Sequence, residues 1–216
     1  MVHLHRPAIL AAIVVVALAL AACGGSSSSP ATTAPSAAAT VAPAASEAPA
    51  ASAAPAGGAA DPTEKLIASD GRIIVYPPGW WTKEDMGILY VASGEDAANG
   101  LVLSGSLKPG QAYIQFGQNS ILSGGTTDPA VHLPDYLKLL IEGQGMTPGA
   151  AASTTVAGKP AATMTAANDK LQMLAVSVQV RDDMFADVIA YGAPGEEAAL
   201  EALVMKMVEG MTYPAA

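Results

Sequence analysis

Residues 24–60 limit where this chain can fold, because they cannot form a hydrophobic core. Apart from Val41 and Glu47, the segment contains only Gly, Ser, Ala, Pro and Thr. A chain of this composition buries too little apolar surface to become ordered. We interpret it as a tether, which would span roughly 35 Å as a coil and about 115 Å if its Pro-rich parts are extended. An O-glycosylated stalk is the alternative, and folding is expected in residues 61–216.

An apolar run precedes the tether. Ala8–Ala22 has 15 uncharged residues, fewer than the roughly 20 that span a bilayer, and the weakly basic residues His3, His5 and Arg6 come before it. This pattern predicts a signal peptide over residues 1–22, so residues 23–60 lie between the leader and the folded domain.

The end of the run, Leu20-Ala21-Ala22-Cys23, resembles the lipobox of bacterial prolipoproteins. The resemblance implies that Cys23 receives a diacylglycerol, that cleavage occurs just before it, and that its new amino group takes a further acyl chain such as palmitate. Two or three acyl chains suffice for stable anchoring. We therefore expect an extracytoplasmic protein anchored to the cell membrane by lipid. A secreted protein with a free thiol and a retained signal anchor are the alternatives.

Charge and cysteine content exclude several classes of function. The chain has 10 basic and 19 acidic residues, and removal of Arg6 with the leader leaves 9 and 19, a net charge of −10. Nucleic-acid binding needs clustered Lys and Arg, so no nucleic-acid partner is expected. Cys23 is the only cysteine, which excludes an intrachain disulfide and a thiolate metal cluster.

The hydrophobic pattern after residue 61 predicts runs of strands and two helices. An Asp70-Gly71 turn is expected to join the first two strands, and Gly117–His132 is expected to be a long loop. The predicted strands are Leu66–Ala68, Arg72–Tyr76, Ile88–Ala92, Leu101–Leu107, Ala112–Phe116, Ala161–Ala167, Leu171–Val180 and Phe185–Tyr191. The last three are expected to form a meander. The predicted helices are Pro134–Gly143 and Pro194–Gly210.

These elements predict a single α+β domain over residues 61–216, with an antiparallel sheet of about six or seven strands and two packed helices. Two passages carry a family resemblance: Ile73–Trp80, which reads IIVYPPGW, and Gly158–Ala162, which reads GKPAA. They resemble the PsbP-like family, and the resemblance covers Leu66–Tyr213. It implies the α/β sandwich of that family, and no functional residue is carried over from it.

Catalytic, metal and cofactor motifs give little support to an enzyme. His132 is the only histidine after the leader, so a serine hydrolase would have to combine it with Ser120 or Ser123, near Asp128 and Asp135 in sequence. Neither serine lies in a Gly-x-Ser-x-Gly motif. The acidic set Asp182, Asp183 and Asp187 lacks the spacing of a calcium loop, and one histidine is too few for zinc. We predict no catalytic residues, no metal and no cofactor.

A ligand or partner surface is predicted from aromatic and polar residues. Trp80 and Trp81 are adjacent, so on a strand they would point to opposite faces, and one could stack on a sugar ring or anchor a partner. The other candidates are Tyr113, Gln115, Asn119 and His132, which could line one cleft. The sequence therefore predicts a noncatalytic domain that binds a protein or small ligand. The alternatives are an envelope hydrolase that uses His132 and, less favoured for a chain this short, a transport-type substrate-binding lipoprotein.

Overall fold

The structure is a computed structural model that describes residues 60–120 and 125–214. Ten strands and three helices lie in these two ranges. The strands are β1 (Glu64–Ile67), β2 (Ile73–Tyr76), β3 (Trp81–Asp85), β4 (Ile88–Ala92), β5 (Ala112–Ser120), β6 (Thr147–Pro148), β7 (Ala152–Val156), β8 (Lys159–Ala167), β9 (Gln172–Arg181) and β10 (Met184–Gly192). The helices are α1 (Glu95–Ser104), α2 (Pro129–Gly143) and α3 (Glu197–Glu209).

An antiparallel sheet of eight strands organises the domain. Its order is β3-β4-β5-β10-β9-β8-β6, with β7 also paired to β8, and β1 and β2 form a separate hairpin. The fold is α+β, as the sequence predicts, with a larger sheet and one more helix than expected. The Asp70-Gly71 turn, the β8–β9–β10 meander and the terminal helix α3 are confirmed.

Both faces of the central strands are covered by helices. Val176 and Val188 belong to the α3-side core, which also contains Leu203 and Val204 of α3. The α2-side core contains Met173 and Ile189 on the opposite face, together with residues of α1 and α2: Ala97, Ala98, Leu133, Leu137 and Ile141. Strands buried on both faces have nearly continuous apolar sequences, which is why β9 and β10 are the clearest strands in the sequence.

One predicted strand, Leu101–Leu107, is wrong. Its first four residues form the end of helix α1, which begins at Glu95. Glu95 and Asp96 stabilise the amino-terminal end of this helix through its dipole, and Gly105 ends it in the left-handed conformation with φ 59°. Ala97 and Ala98 are the buried residues of this helix, so it contacts the rest of the domain through small apolar side chains.

The predicted loop Gly117–His132 is also wrong at both ends. β5 continues to Ser120 because its polar last residues pair with Met184–Asp187 of β10. Helix α2 begins at Pro129, where Asp128 caps it by accepting a hydrogen bond from Ala130 N at 2.9 Å. Pro134, which was expected in the first turn, lies inside the helix.

Arg72 holds the turn between β3 and β4, the two strands at one edge of the sheet. Its side chain is only 2% exposed, and its guanidinium donates hydrogen bonds to Gly87 O, to Phe116 O at 3.4 Å and to Asp70 Oδ2 at 2.7 Å. A buried guanidinium with several partners is geometrically rigid. The β3–β4 edge is therefore tied to the β1–β2 hairpin and to β5.

Candidate functional site

A cleft of about 440 Å³, here called the aromatic cleft, lies over β3, β4 and β5 beside α1. Two rows of residues in register across these strands form its floor. Lys83 pairs with Tyr90, which pairs with Gln115, and in the next row Trp81 and Tyr113 flank Ala92. Residues directly opposite each other on adjacent strands have Cβ atoms roughly 5 Å apart, so each row presents one continuous surface.

The tyrosines of the aromatic cleft contact one another. The ring centroids of Tyr90 and Tyr113 are 6.0 Å apart at an interplanar angle of 41°, and Tyr191 lies 6.5 Å from Tyr113 on the other side. Burial, with smaller contributions from the charges of Tyr90 and Tyr191, raises the pKa of Tyr113 to about 12. The Tyr113 phenol is therefore neutral near pH 7, when it can donate a hydrogen bond.

The rim of the aromatic cleft combines apolar and charged side chains. Val102 and Leu103 of α1 are 74% and 82% exposed. On the opposite side, Lys83 Nζ donates to Asp85 Oδ2 at 2.7 Å, and this hydrogen bond raises the pKa of Lys83. Aromatic faces beside a few polar groups are typical of sites that bind polar molecules with a flat apolar face.

A second polar cluster lies further along the same face of the sheet. Asp187 Oδ2 accepts a hydrogen bond from Asn119 Nδ2 at 2.6 Å and lies 3.1 Å from His132 Nε2. Because a carboxylate only accepts, this contact places the proton on Nε2. The His132 ring stacks against Phe185 at 4.3 Å and against Tyr136 at 5.4 Å between centroids.

The His132–Asp187 pair is almost closed to solvent. His132 is 7% exposed and Asp187 is 1% exposed. Asp187 Oδ1 has no hydrogen-bond partner among the described residues, and neither has Oγ of Ser177, which lies opposite Asp187 on β9. The pair connects α2 to β10 through a buried hydrogen bond, and Asp187 Oδ1 keeps unused acceptor capacity.

The structure divides the predicted site residues into three groups. Trp81, Tyr113 and Gln115 lie together in the aromatic cleft. Asn119 and His132 meet at Asp187 instead, so the single cleft expected for all four of Tyr113, Gln115, Asn119 and His132 is wrong. Trp80 packs against the α3-side core and Trp81 against the α2-side core, which confirms that they point to opposite faces.

The acidic neighbours expected for His132 have other positions. Asp128 caps helix α2, and Asp135 is exposed on that helix. Asp182 and Asp183 lie in the β9–β10 turn, whereas Asp187 is buried in the sheet. Ser123 falls outside the described residues, as do Cys23, the signal peptide and residues 24–59 of the tether.

Tyr90 and Lys83 are site residues that the sequence did not single out, and Asp187 was considered only as a possible calcium ligand. Lys83 belongs to β3, which was not predicted. Tyr90 lies in a predicted strand, but the sequence does not indicate which residues of the neighbouring strands pair with it. The alternation of Trp81, Lys83 and Asp85 is a weak strand signal that could have indicated β3.

No protein-family model matches the sequence, and no curated protein matches it. A crystal structure of a Pseudomonas aeruginosa protein of unknown function is similar, with a TM-score of 0.42 and 13% sequence identity. The match covers 71% of this chain and 98% of that chain. Among the helices that the structure describes, none is long and apolar enough to cross a membrane.

Proposed function

We propose that this chain is the precursor of a lipid-anchored extracytoplasmic protein whose folded domain binds a carbohydrate in the aromatic cleft. The observation that supports the proposal is the convergence of Trp81, Tyr113 and Gln115 with Tyr90 in one cleft on the edge strands. Aromatic rings stack on the apolar face of a sugar, while amide, phenol and charged groups at the rim bond its hydroxyls.

The position of the cleft agrees with this role. It lies at the free edge of the sheet, since β3 has β4 as its only partner strand within the described residues. The central strands are covered on both faces, whereas Trp81 and Tyr90 on the edge strands are partly exposed beside the buried Tyr113. A rigid floor of three paired strands also holds these side chains in place before a ligand binds, which reduces the entropy lost on binding.

The proposed lipid anchor and tether would determine where the folded domain lies. Cys23 would hold the chain at the outer face of the cell membrane, and residues 24–60 would give the domain freedom to reach a glycan of the cell envelope. Membership of the PsbP-like family remains a prediction from the IIVYPPGW and GKPAA passages.

Tryptophan fluorescence of the full-length protein in detergent tests the cleft. Titration with chitohexaose and, separately, maltohexaose should give a saturable change for at least one sugar, and Trp81→Ala should abolish that change. The matched control is Trp80→Ala, which alters the neighbouring indole on the opposite face and should leave affinity unchanged. No saturable response to either sugar, or equal affinity in Trp81→Ala, would contradict the proposal.

The hydrolase alternative has one observation in its favour, the His132–Asp187 contact, because a histidine oriented by a carboxylate is the base of many nucleophilic enzymes. The ring is, however, stacked between Phe185 and Tyr136 and only 7% exposed. We therefore infer that the pair serves structure. Esterase activity toward p-nitrophenyl acetate that is present in the full-length protein and lost in His132→Gln would favour the hydrolase instead.

A further inference from the structure

The edge of the sheet opposite β3 is formed by β7, which has β8 as its only partner strand within residues 60–120 and 125–214. Ala152–Thr155 of this strand are exposed, whereas Val156 is only 3% exposed and belongs to the α3-side core. Val156 and the pairing with β8 therefore hold the strand in place, while the rest of the strand faces solvent.

The turn between β7 and β8 sets which backbone groups of β7 bond to β8. Ala157 and Gly158 have φ angles of 50° and 77°, as in a two-residue type I′ hairpin turn. Such a turn makes the residues on either side of it, Val156 and Lys159, a hydrogen-bonded pair. Along antiparallel strands, pairs of this kind alternate with pairs that exchange no hydrogen bond.

Ser153 and Thr155 therefore direct their backbone N–H and C=O groups away from β8. Thr155 is next to the hydrogen-bonded pair and lies opposite Pro160, which has no N–H to donate. Ser153 lies two residues before Thr155, opposite Ala162. Neither Ser153 nor Thr155 forms a hydrogen bond elsewhere within the described part of the chain. The outer edge of β7 thus presents two donors and two acceptors to solvent.

The two edges of the sheet differ in charge. β3 carries Lys83, Glu84 and Asp85. Ser69 N also donates a hydrogen bond to Glu84 Oε2 at 3.1 Å, which brings the β1–β2 turn against β3. Charged side chains and covering segments commonly protect an edge strand from pairing with another chain. β7 lacks the charges, since its sequence is ASTTV and residues 143–158 contain no charged side chain.

The absence of charge favours a second copy of this chain as the partner. The chain has a net charge of −9, so two copies repel each other, and the repulsion is weakest where they meet through uncharged residues. The outward backbone groups are also symmetric about Thr154. When β7 lies antiparallel to its own copy with the two Thr154 residues opposite each other, Ser153 faces Thr155 of the second copy. Each of these two pairs can then exchange hydrogen bonds through its outward N–H and C=O groups.

We propose that this protein forms a two-fold symmetric dimer in which β7 pairs antiparallel with β7 of a second copy about an axis at Thr154. The eight-stranded sheets of the two copies then form one continuous sheet. The contact involves one short strand from each copy, which is less than the interface of a permanent dimer, so the dimer is reversible. It uses the edge of the sheet opposite the aromatic cleft and does not depend on the function proposed there.

Sedimentation equilibrium of the full-length protein in a density-matched detergent measures the dimer. The average mass should rise from monomer towards dimer as the protein concentration is raised from micromolar to millimolar. Thr155→Pro removes an outward N–H and leaves the bonds to β8 unchanged, so the dimer should bind about tenfold more weakly. The matched control Thr155→Ala keeps the N–H and should dimerise like the unchanged protein.

Disulfide formation tests the position of the axis. In a Cys23→Ala background an introduced cysteine is the only thiol. Thr154→Cys places two cysteines directly opposite each other with Cα atoms about 4.5 Å apart, within the range of a disulfide, so mild oxidation should give a covalent dimer. Thr155→Cys is the matched control, because its two copies lie on either side of the axis and beyond that range. It should give little covalent dimer under the same conditions.

Three outcomes would each overturn the proposal. They are a mass that stays monomeric over the whole concentration range, equal dimerisation of Thr155→Pro and Thr155→Ala, and equal disulfide yields from Thr154→Cys and Thr155→Cys. Far-UV circular dichroism checks that Thr155→Pro keeps the fold. The disulfide comparison decides the matter if it does not, because neither cysteine removes a backbone N–H.

Discussion

Trp80 and Trp81 are consecutive in the chain but pack on opposite sides of the sheet, Trp80 against the α3-side core and Trp81 against the α2-side core beside the aromatic cleft. The alternation of side chains along an extended segment produces this division. It also allows Trp80→Ala and Trp81→Ala to be compared, since each removes an indole ring but from opposite faces of the sheet. Loss of the Trp81 ring should affect ligand binding, whereas loss of the Trp80 ring should affect the core.

Gln115 should contribute to binding through its amide at the floor of the aromatic cleft. Gln115→Leu removes this polar group, and we expect the affinity for the bound sugar to fall about tenfold, the value of one hydrogen bond to an uncharged ligand. Fluorescence titration measures the change, with Gln118→Leu on the same strand as control. Equal affinities for the two variants would show that Gln115 makes no contact with the ligand.

Tyr113 should make stability depend on alkaline pH. Its folded-state pKa is raised to about 12, mainly by burial, whereas the phenol of the unfolded chain ionises near pH 10. Below about pH 10 both states are protonated, so this contribution to stability is fully present. As the pH rises from about 10 to about 12, the unfolded state loses its proton first and the free energy of unfolding falls.

Urea unfolding at a series of pH values measures this dependence. The decline between about pH 10 and pH 12 should be shallower in Tyr113→Phe than in the unchanged protein. Parallel pH profiles for the two proteins would contradict burial of the Tyr113 phenol.

His132 should be important for stability. His132→Ala removes a hydrogen-bond donor from the buried Asp187 carboxylate and leaves a space between Phe185 and Tyr136. We expect the free energy of unfolding to fall by roughly 3 kcal/mol. Asp187→Asn in the same background should recover part of the loss, because it removes the unpaired charge. A loss below about 0.5 kcal/mol, as for ordinary surface positions, would contradict the structural role.

Two tight turns should accept a stabilising substitution. Met86 and Ala157 have positive φ angles of 48° and 50° and are followed by Gly87 and Gly158. Asn tolerates this conformation better than other side chains, so Met86→Asn and Ala157→Asn should each raise the free energy of unfolding by about 0.5–1 kcal/mol. The control Met86→Val should lower it. Equal stabilities of the Asn and Val variants would mean that the turn has another conformation.

These turns also explain why two hairpins were not predicted. β3–β4 and β7–β8 are joined by Met86-Gly87 and Ala157-Gly158, and hairpin turns of this type usually begin with Asn, Asp or Gly. Without that signal, the polar strands β3 and β7 look like loops. The central strands β9 and β10 were predicted because both of their faces are buried and their sequences are mostly apolar.

Only part of the candidate site was predicted, because the contacts between strands are not visible in the local sequence. Aromatic content was enough to select Trp81 and Tyr113, but their neighbour Tyr90 depends on the pairing of β4 with β5, which the sequence does not specify locally. The partner of His132, Asp187, is 55 positions away in sequence. Contacts of this kind follow from strand register, so Asp128 and Asp135 were the nearer but incorrect candidates.

The proposed lipid anchor would place the folded domain outside the cell, and it is tested most directly by metabolic labelling. Cells that produce the full-length chain are grown with an alkyne analogue of palmitate, and the purified protein is coupled to a fluorescent azide. The unchanged protein should be labelled, and Cys23→Ala should carry no label even if its uncleaved leader keeps it in the membrane. Equal labelling of both proteins, or an unlabelled unchanged protein, would contradict lipid attachment at Cys23.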